Sequence, residues 1–322
     1  MKKNLIYFAI TAALGIFTYF ITSGDKTYKL EVENRKPFAE LDPAGMDRIT
    51  LSRGSSEVEL TRQNGGSWNV VKLDYPAASD NVDGLVKNIR DLAIVDISSR
   101  NPEKGDVYGL GKLTTLVELS QGGVTKARLE VGKVGPDMIS TYFKYTKGPE
   151  IYKTTTNLSY LCNSDSNYWI DKTLIKLKDE EISRIHILCG TREIELQRDG
   201  QWKWAKRGTG EVTLPKVMGT VETGASGALA TSEVESLLST VNNLVCEGLA
   251  TGKKPDFTQE VDLSGEIATK GGEGIGFKFL TKEGSNYYVT ISNKQRVFLV
   301  NSYQRDSLLR EVDNLLKKKV PQ

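Results

Sequence analysis

Very few side chains in this chain could start chemistry. His186 is the only histidine in 322 residues, so every mechanism that needs a histidine pair is excluded. It lies between Ile185 and Ile187 in an alternating run, and strand alternation turns it away from the face those two share. It therefore reads as an exposed or edge histidine. General acid–base catalysis needs a partner group within reach, and no nucleophile stands nearby at a recognisable spacing. Asp179, Glu180 and Glu181 form a carboxylate cluster where a linker enters a strand. That run offers too few oxygen ligands for a hard cation and reads as a solvated turn. Cys162, Cys189 and Cys246 include no short-range pair, which argues against a disulfide scaffold or a cysteine-rich zinc site. Cys189 shares strand parity with Ile185 and Ile187 and is expected as a buried thiol. A Cys189–Cys246 bridge is the alternative in an oxidising compartment.

Two glycine-rich stretches invite nucleotide readings, and both fail. Gly109-Leu110-Gly111-Lys112-Leu113 lacks the leading glycine of a phosphate loop and has Leu where Ser or Thr should hold magnesium. In Gly272–Phe277, Phe277 takes the slot of the third glycine of the dinucleotide fingerprint, and the run precedes a strand instead of opening a helix. Both are expected to be loops or turns. Asn157-Leu158-Ser159 fits the glycosylation pattern, a match short enough to arise by chance. No catalytic, cofactor-binding or metal-ligating residue is assigned, and a non-enzymatic protein without a cofactor is expected.

Composition points the same way. Lys plus Arg number 43 against 41 Asp plus Glu, a formal net charge of +2 that is too small for a nucleic-acid partner. At 39% hydrophobic residues the chain can bury real cores, and its length suits two domains. Lys2 and Lys3 precede an uncharged, apolar run from Asn4 to Gly24. As a helix at about 1.5 Å per residue, that run matches the thickness of a bilayer core. A cleaved signal peptide is the competing reading, although its apolar stretch is usually shorter. The positive charge of Lys2 and Lys3 favours the cytoplasmic side. The expectation is a single-pass anchor over 1–24 in a bacterial inner membrane, a polar linker over 25–37, and the bulk of the chain outside the cytoplasm.

The rest is organised by a duplication. Residues 46–62 laid on 182–198 without a gap share seven identities in 17 positions. Arg48 and Glu59 recur as Arg184 and Glu195, and Trp68 recurs as Trp202. Both copies alternate apolar with polar residues, the period of a half-buried strand. Asn64-Gly65-Gly66 and Asp199-Gly200 turn each chain into the strand that bears the Trp. An amphipathic helix follows each meander. Ser79 is the expected cap for Val82, Leu85, Ile89 and Leu92; Thr231 or Ser232 is the expected cap for Val234, Leu237, Leu238, Val241 and Leu244. Further strands are predicted at 116–119, 128–131, 142–145 and 151–153, and again at 276–280, 287–291 and 297–300. Helical segments near 158–161 and 306–319 close the copies. The fold class is α+β: a transmembrane helix, then two tandem copies, 38–173 and 174–322, of a mainly antiparallel sheet with packed helices. From Lys206 to Ala230 the second copy carries a glycine-rich segment, expected as a long loop, whose counterpart in the first, Asn69 to Ala78, is much shorter.

A resemblance accompanies these features. It rests on Leu41-Asp42-Pro43, Asp47-Arg48-Ile49-Thr50, Gly66-Ser67-Trp68, Asp74-Tyr75-Pro76-Ala77, Asn101-Pro102, Tyr108-Gly109-Leu110 and the Trp169–Ile175 junction. With these in order, the chain resembles the bacterial family designated domain of unknown function 4340 over essentially its whole length. The second copy departs from the pattern: it has no Tyr-Gly-Leu, only Gln259–Leu263. The resemblance implies a membrane-anchored protein whose partners are components of gliding-type ABC transporters. It implies no catalytic residue, and the small-molecule ligand, if any, is unknown. External protease added to spheroplasts is expected to digest the large domain; an intact domain would place it in the cytoplasm.

Overall fold

A computed structural model of the chain describes residues 10–19, 35–112, 114–209, 211–213, 216–218, 221–223, 228–251, 255–257, 261–281 and 286–317. Residues 10–19 form a helix, α1, with Ile10, Leu14 and Phe17 exposed. Among the described residues no helix is long and apolar enough to cross a membrane. Lys2, Lys3 and the rest of the apolar run, with most of the linker over 25–37, lie outside the described residues.

The chain divides into two compact units between Asp171 and Lys172. The first runs β1 (Arg48–Arg53), β2 (Ser56–Arg62), β3 (Trp68–Val70), β4 (Tyr75–Pro76), α2 (Ser79–Arg90), β5 (Ile94–Ser99), β6 (Thr115–Gln121), β7 (Val124–Val134), β8 (Thr141–Tyr145), β9 (Ile151–Thr154), α3 (Leu158–Leu161) and α4 (Ser166–Trp169). The second runs β10 (Ile182–Cys189), β11 (Arg192–Asp199), β12 (Gln201–Thr209), β13 (Glu211–Thr213), β14 (Lys216–Met218), β15 (Val221–Thr223), β16 (Ala228–Leu229), α5 (Thr231–Asn242), β17 (Gly248–Leu249), β18 (Leu263–Thr269), β19 (Gly274–Thr281), β20 (Asn286–Ile291), β21 (Lys294–Asn301) and α6 (Ser302–Lys317).

The two sheets share one topology. The order β3-β2-β1-β6-β7-β8-β9-β5 in the first is answered by β12-β11-β10-β18-β19-β20-β21-β17 in the second. Neighbours in both are antiparallel, and the registers agree along the strand centres. Arg62 lies opposite Trp68, as Arg198 lies opposite Trp202. Thr50 faces Glu118, as His186 faces Glu266.

Alternation sorts each sheet into two faces. Ile49, Leu51, Val58, Leu60, Val117 and Leu129 are fully buried in the first unit, as are Ile185, Ile187, Ile194, Leu196 and Phe279 in the second. The helices cover these faces. Val82, Leu85, Val86 and Ile89 of α2 are buried, matched by Val234, Leu237, Leu238 and Val241 of α5. Each such side chain contributes about 1.5–3 kcal/mol when removed from water. Leu308, Val312 and Leu315 of α6 are buried too, so the C-terminal helix packs into its own unit. Arg305 pins it there with a fork onto Asp262, at 2.7 and 3.2 Å.

Several local expectations change. Ser79 and Thr231 are the first helical residues rather than caps. The Ser79 hydroxyl instead accepts from the Trp68 backbone N–H at 3.4 Å, serving the neighbouring strand. Within the 206–230 segment, β12 runs on to Thr209, β15 pairs back onto it, and β13 pairs with β14, so its described parts are largely strand. Gly272 is a turn residue with φ +83°, and Gly274 already opens β19 instead of lying in a loop, so the strand expected over 276–280 starts two residues earlier. The alternation signal also missed β5, β17 and β18. β17 has only two residues, and β18 is interrupted by Gly265. That glycine answers Val117 of the first unit, while Phe277 beside it answers Leu129. A Cβ on Gly265 would fall 2.1 Å from the tip of the Phe277 ring, which occupies the space of the missing side chain. Gly265→Ala is expected to lower stability by about 1–3 kcal/mol through overpacking, read as a fall in the urea midpoint at an unchanged slope.

Candidate functional site

The residues singled out by the repeat come together as a frame, the same in each copy. Arg48 Nη1 stands 3.0 Å from Glu59 Oε1, and Arg184 Nε stands 2.8 Å from Glu195 Oε1. Both pairs bridge adjacent strands on the face opposite the helices. The first pair is exposed and contributes about 0–1 kcal/mol, so it tunes register more than it holds the fold, whereas Glu195 of the second pair is largely buried. Trp68 and Trp202 are buried, each beneath the guanidinium of its cross-strand partner, at 4.6 Å for Arg62 and 5.7 Å for Arg198. Trp68 Nε1 donates to Asp83 on α2 at 2.9 Å. No hydrogen-bond partner for Trp202 Nε1 is found among the described residues. Tyr108 donates to the Ser98 carbonyl at 2.9 Å and meets the Tyr142 ring edge-on at 4.8 Å. Gly109 ends a 3-10 turn with φ +72°, a conformation that favours glycine. Leu110 is buried. A Cβ on Gly132 would come within 2.3 Å of the Tyr108 carbonyl, so the Tyr108–Leu110 motif clamps the β5–β6 connection against β7.

The second unit carries a denser polar cluster on its open face. His186 is neither at an edge nor freely exposed, because β10 is paired on both sides by β11 and β18. Its Nε2 lies 2.9 Å from Glu193 Oε1, and its side chain is 26% exposed. Glu193 is buried, and Lys206 Nζ approaches it to 3.7 Å and Glu195 to 3.5 Å. One imidazole, two carboxylates and an ammonium thus share a patch on adjacent strands. His186 and Glu193 are seven positions apart, and only the β10–β11 register makes them neighbours.

Next to this patch a cavity of about 560 Å³ opens. His186, Phe257, Ser264, Glu266, Gly276, Lys278 and Thr290 line it. Phe257 belongs to the β17–β18 connection, the counterpart of the one that carries Tyr108-Gly109-Leu110 in the first unit. Leu263, expected to stand in that motif's place, instead begins β18. The walls offer an acid, a base, hydroxyls and an aromatic ring, a set suited to holding a polar ligand against an apolar surface. Across the open face of the first sheet, by contrast, Arg128 pairs with Glu118 at 2.7 Å and Lys144 with Glu130 at 3.1 Å. A pocket there, beside Glu57 and Lys72, holds only about 210 Å³.

The remaining candidates stay apart from this site. Asp179–Glu181 form an exposed 3-10 turn. Asn157 caps α3, its side chain accepting from Tyr160 N at 3.3 Å. All three cysteines are buried, and among the described residues none is joined in a disulfide. Burial pushes the Cys162 thiol up to about 12 and the Cys189 thiol also upward, which leaves little nucleophilic thiolate at neutral pH. Among the described residues no three His, Cys, Asp or Glu side chains are placed to hold a metal ion.

The contrast between the two faces is measurable. Glu193→Ala is expected to cost about 1–3 kcal/mol, because a buried, hydrogen-bonded carboxylate is lost beside His186 and Lys206. Glu59→Ala, in an exposed pair, should stay within about 1 kcal/mol. Thermal or denaturant unfolding of the two variants in parallel checks the difference.

Residues 68–264 match the family described as Domain of unknown function (DUF4340). No curated protein and no solved structure matches the chain. The match begins at Trp68 in the first repeat, crosses the boundary at Asp171, and ends at Ser264 on the cavity wall of the second. With more than half of its length covered, the chain belongs to the DUF4340 family.

Proposed function

We propose that the protein is a non-enzymatic, membrane-anchored accessory or scaffold subunit of an ABC-transporter-like complex of the gliding type, with both repeats on the extracytoplasmic side. The observation that carries this reading is how the repeated motif residues are used. Arg48 with Glu59, Arg184 with Glu195, Trp68 under Arg62 and Trp202 under Arg198 all serve two copies of one rigid frame. Frames of this kind suit a subunit that presents surfaces to partners. The apolar run Asn4–Gly24 supplies the anchor in this reading, and the family resemblance supplies the transporter company.

A second reading is favoured by the cavity on the β10–β18–β19–β20 face: a binding module for a cell-envelope glycan or peptide. It is compatible with the first, since an accessory subunit can carry a recognition site. Affinity purification of the full chain from solubilised membranes is expected to recover transporter subunits with ATP-binding-cassette partners. A preparation that yields the chain without them would remove the leading reading and leave the binding module.

A further inference from the structure

The cavity lies where the second repeat carries smaller side chains than the first at three equivalent positions of the open face. Register equivalence pairs Leu116 with Ser264, Glu118 with Glu266, Arg128 with Gly276, Glu130 with Lys278 and Lys144 with Thr290. In the first repeat the guanidinium of Arg128 lies on Glu118, and Lys144 on Glu130. In the second, the Arg position is glycine, the Lys position is Thr and the Leu position is Ser, so the strip is emptied. Glu266 keeps the carboxylate of Glu118 without its cation and forms no ion pair among the described residues.

Backbone geometry does not explain the glycine. Gly265 must be glycine because the Phe277 ring occupies its side-chain space, and Gly272 has a positive φ. Gly276 has neither constraint: a Cβ there meets nothing closer than 3.7 Å, at Ser292, which is ordinary van der Waals contact. An L-residue with a long side chain would fit, and in the first repeat one does. The absence of a side chain at 276 therefore serves the space above it.

From this we infer that the cavity on the open face of the second sheet binds a peptide that presents a basic side chain, whose guanidinium or ammonium takes the place on Glu266 that Arg128 holds on Glu118. The internal copy is the template, since the same fold already shows a guanidinium seated on this carboxylate position at 2.7 Å. Phe257 offers an apolar wall for the methylene stem of such a side chain. Lys278, standing where the first repeat has Glu130, reverses the charge next door. It repels a second basic residue and favours a single cation flanked by neutral or acidic groups. The inference rests on the binding-module reading and names its ligand class.

The test uses the full chain in detergent and three blocked tripeptides whose central residue is arginine, methionine or glutamate, with binding followed by calorimetry. The arginine peptide is expected to bind saturably, with a dissociation constant of about 1 mM or tighter. Glu266→Gln should weaken it about tenfold or more. Gly276→Arg, which rebuilds the first repeat's pair, should abolish binding while the melting temperature holds or rises. If Gly276→Arg melts lower, Glu266→Gln carries the decision alone, because it changes no volume. Arginine-peptide binding that survives Glu266→Gln overturns the assignment. Binding of only the methionine or glutamate peptide, lost in Gly276→Arg, overturns the cationic ligand but leaves a peptide-binding cleft. No saturable binding of any of the three overturns the inference and the peptide form of the binding-module reading together.

Discussion

Everything in this protein depends on the pairing register of one hairpin in each repeat, β1 with β2 and β10 with β11. Side chains along a strand alternate with a period of two, so a slip of one residue would carry Ile49, Leu51, Val58 and Leu60 from the core to solvent. The burial of these four, and of Ile185, Ile187, Ile194 and Leu196, locks each hairpin in place. That lock puts Arg48 diagonally across from Glu59 and brings His186 against Glu193. The next pairing outward, β2 with β3 and β11 with β12, sets each tryptophan beneath its arginine. The helices then need only an apolar stripe to complete each layer, and α2 and α5 supply the same one.

The two faces of the sheets have diverged under different physical rules. On the core face, volume must be conserved because interiors are close-packed. Where the second repeat shrinks Val117 to Gly265, it enlarges Leu129 to Phe277, and the ring refills the gap. On the open face no such compensation is required, since exposed ion pairs contribute little to stability. Arg128, Lys144 and Leu116 could therefore become Gly276, Thr290 and Ser264 at small cost. The same topology then bears a charge-zipped surface in one copy and a cavity in the other.

The Tyr108-Gly109-Leu110 clamp and the Phe257 segment extend that contrast to the connections. In the first unit the connection into the central strand is pinned by close backbone approaches at Gly132 and Gly109 and by the Tyr108–Tyr142 ring contact. In the second, the equivalent connection places an aromatic ring beside the cavity. A conserved frame with variable connections and one variable face is an economical way to place recognition on a rigid support, because the residues that change are not those that fold the domain.

Much of this was legible in the residues themselves. Alternating apolar positions, the paired Arg, Glu and Trp identities and the helical stripes fixed the duplicated α+β organisation, because these are local, periodic signals that burial enforces. The parity of Cys189 and the outward turn of His186 followed from the same period. Other features had no local signal. β17 is too short to show a period, β18 is broken by Gly265, and Ser79 spends its hydroxyl on a strand eleven residues back. The partnership of His186 with Glu193, and the emptied strip at Gly276 opposite Glu266, depend on which strands lie side by side. By itself, then, the sequence determined the repeat, the faces and the core. Only the tertiary structure decided where charges meet and where a side chain is missing, because non-local pairing sets those distances.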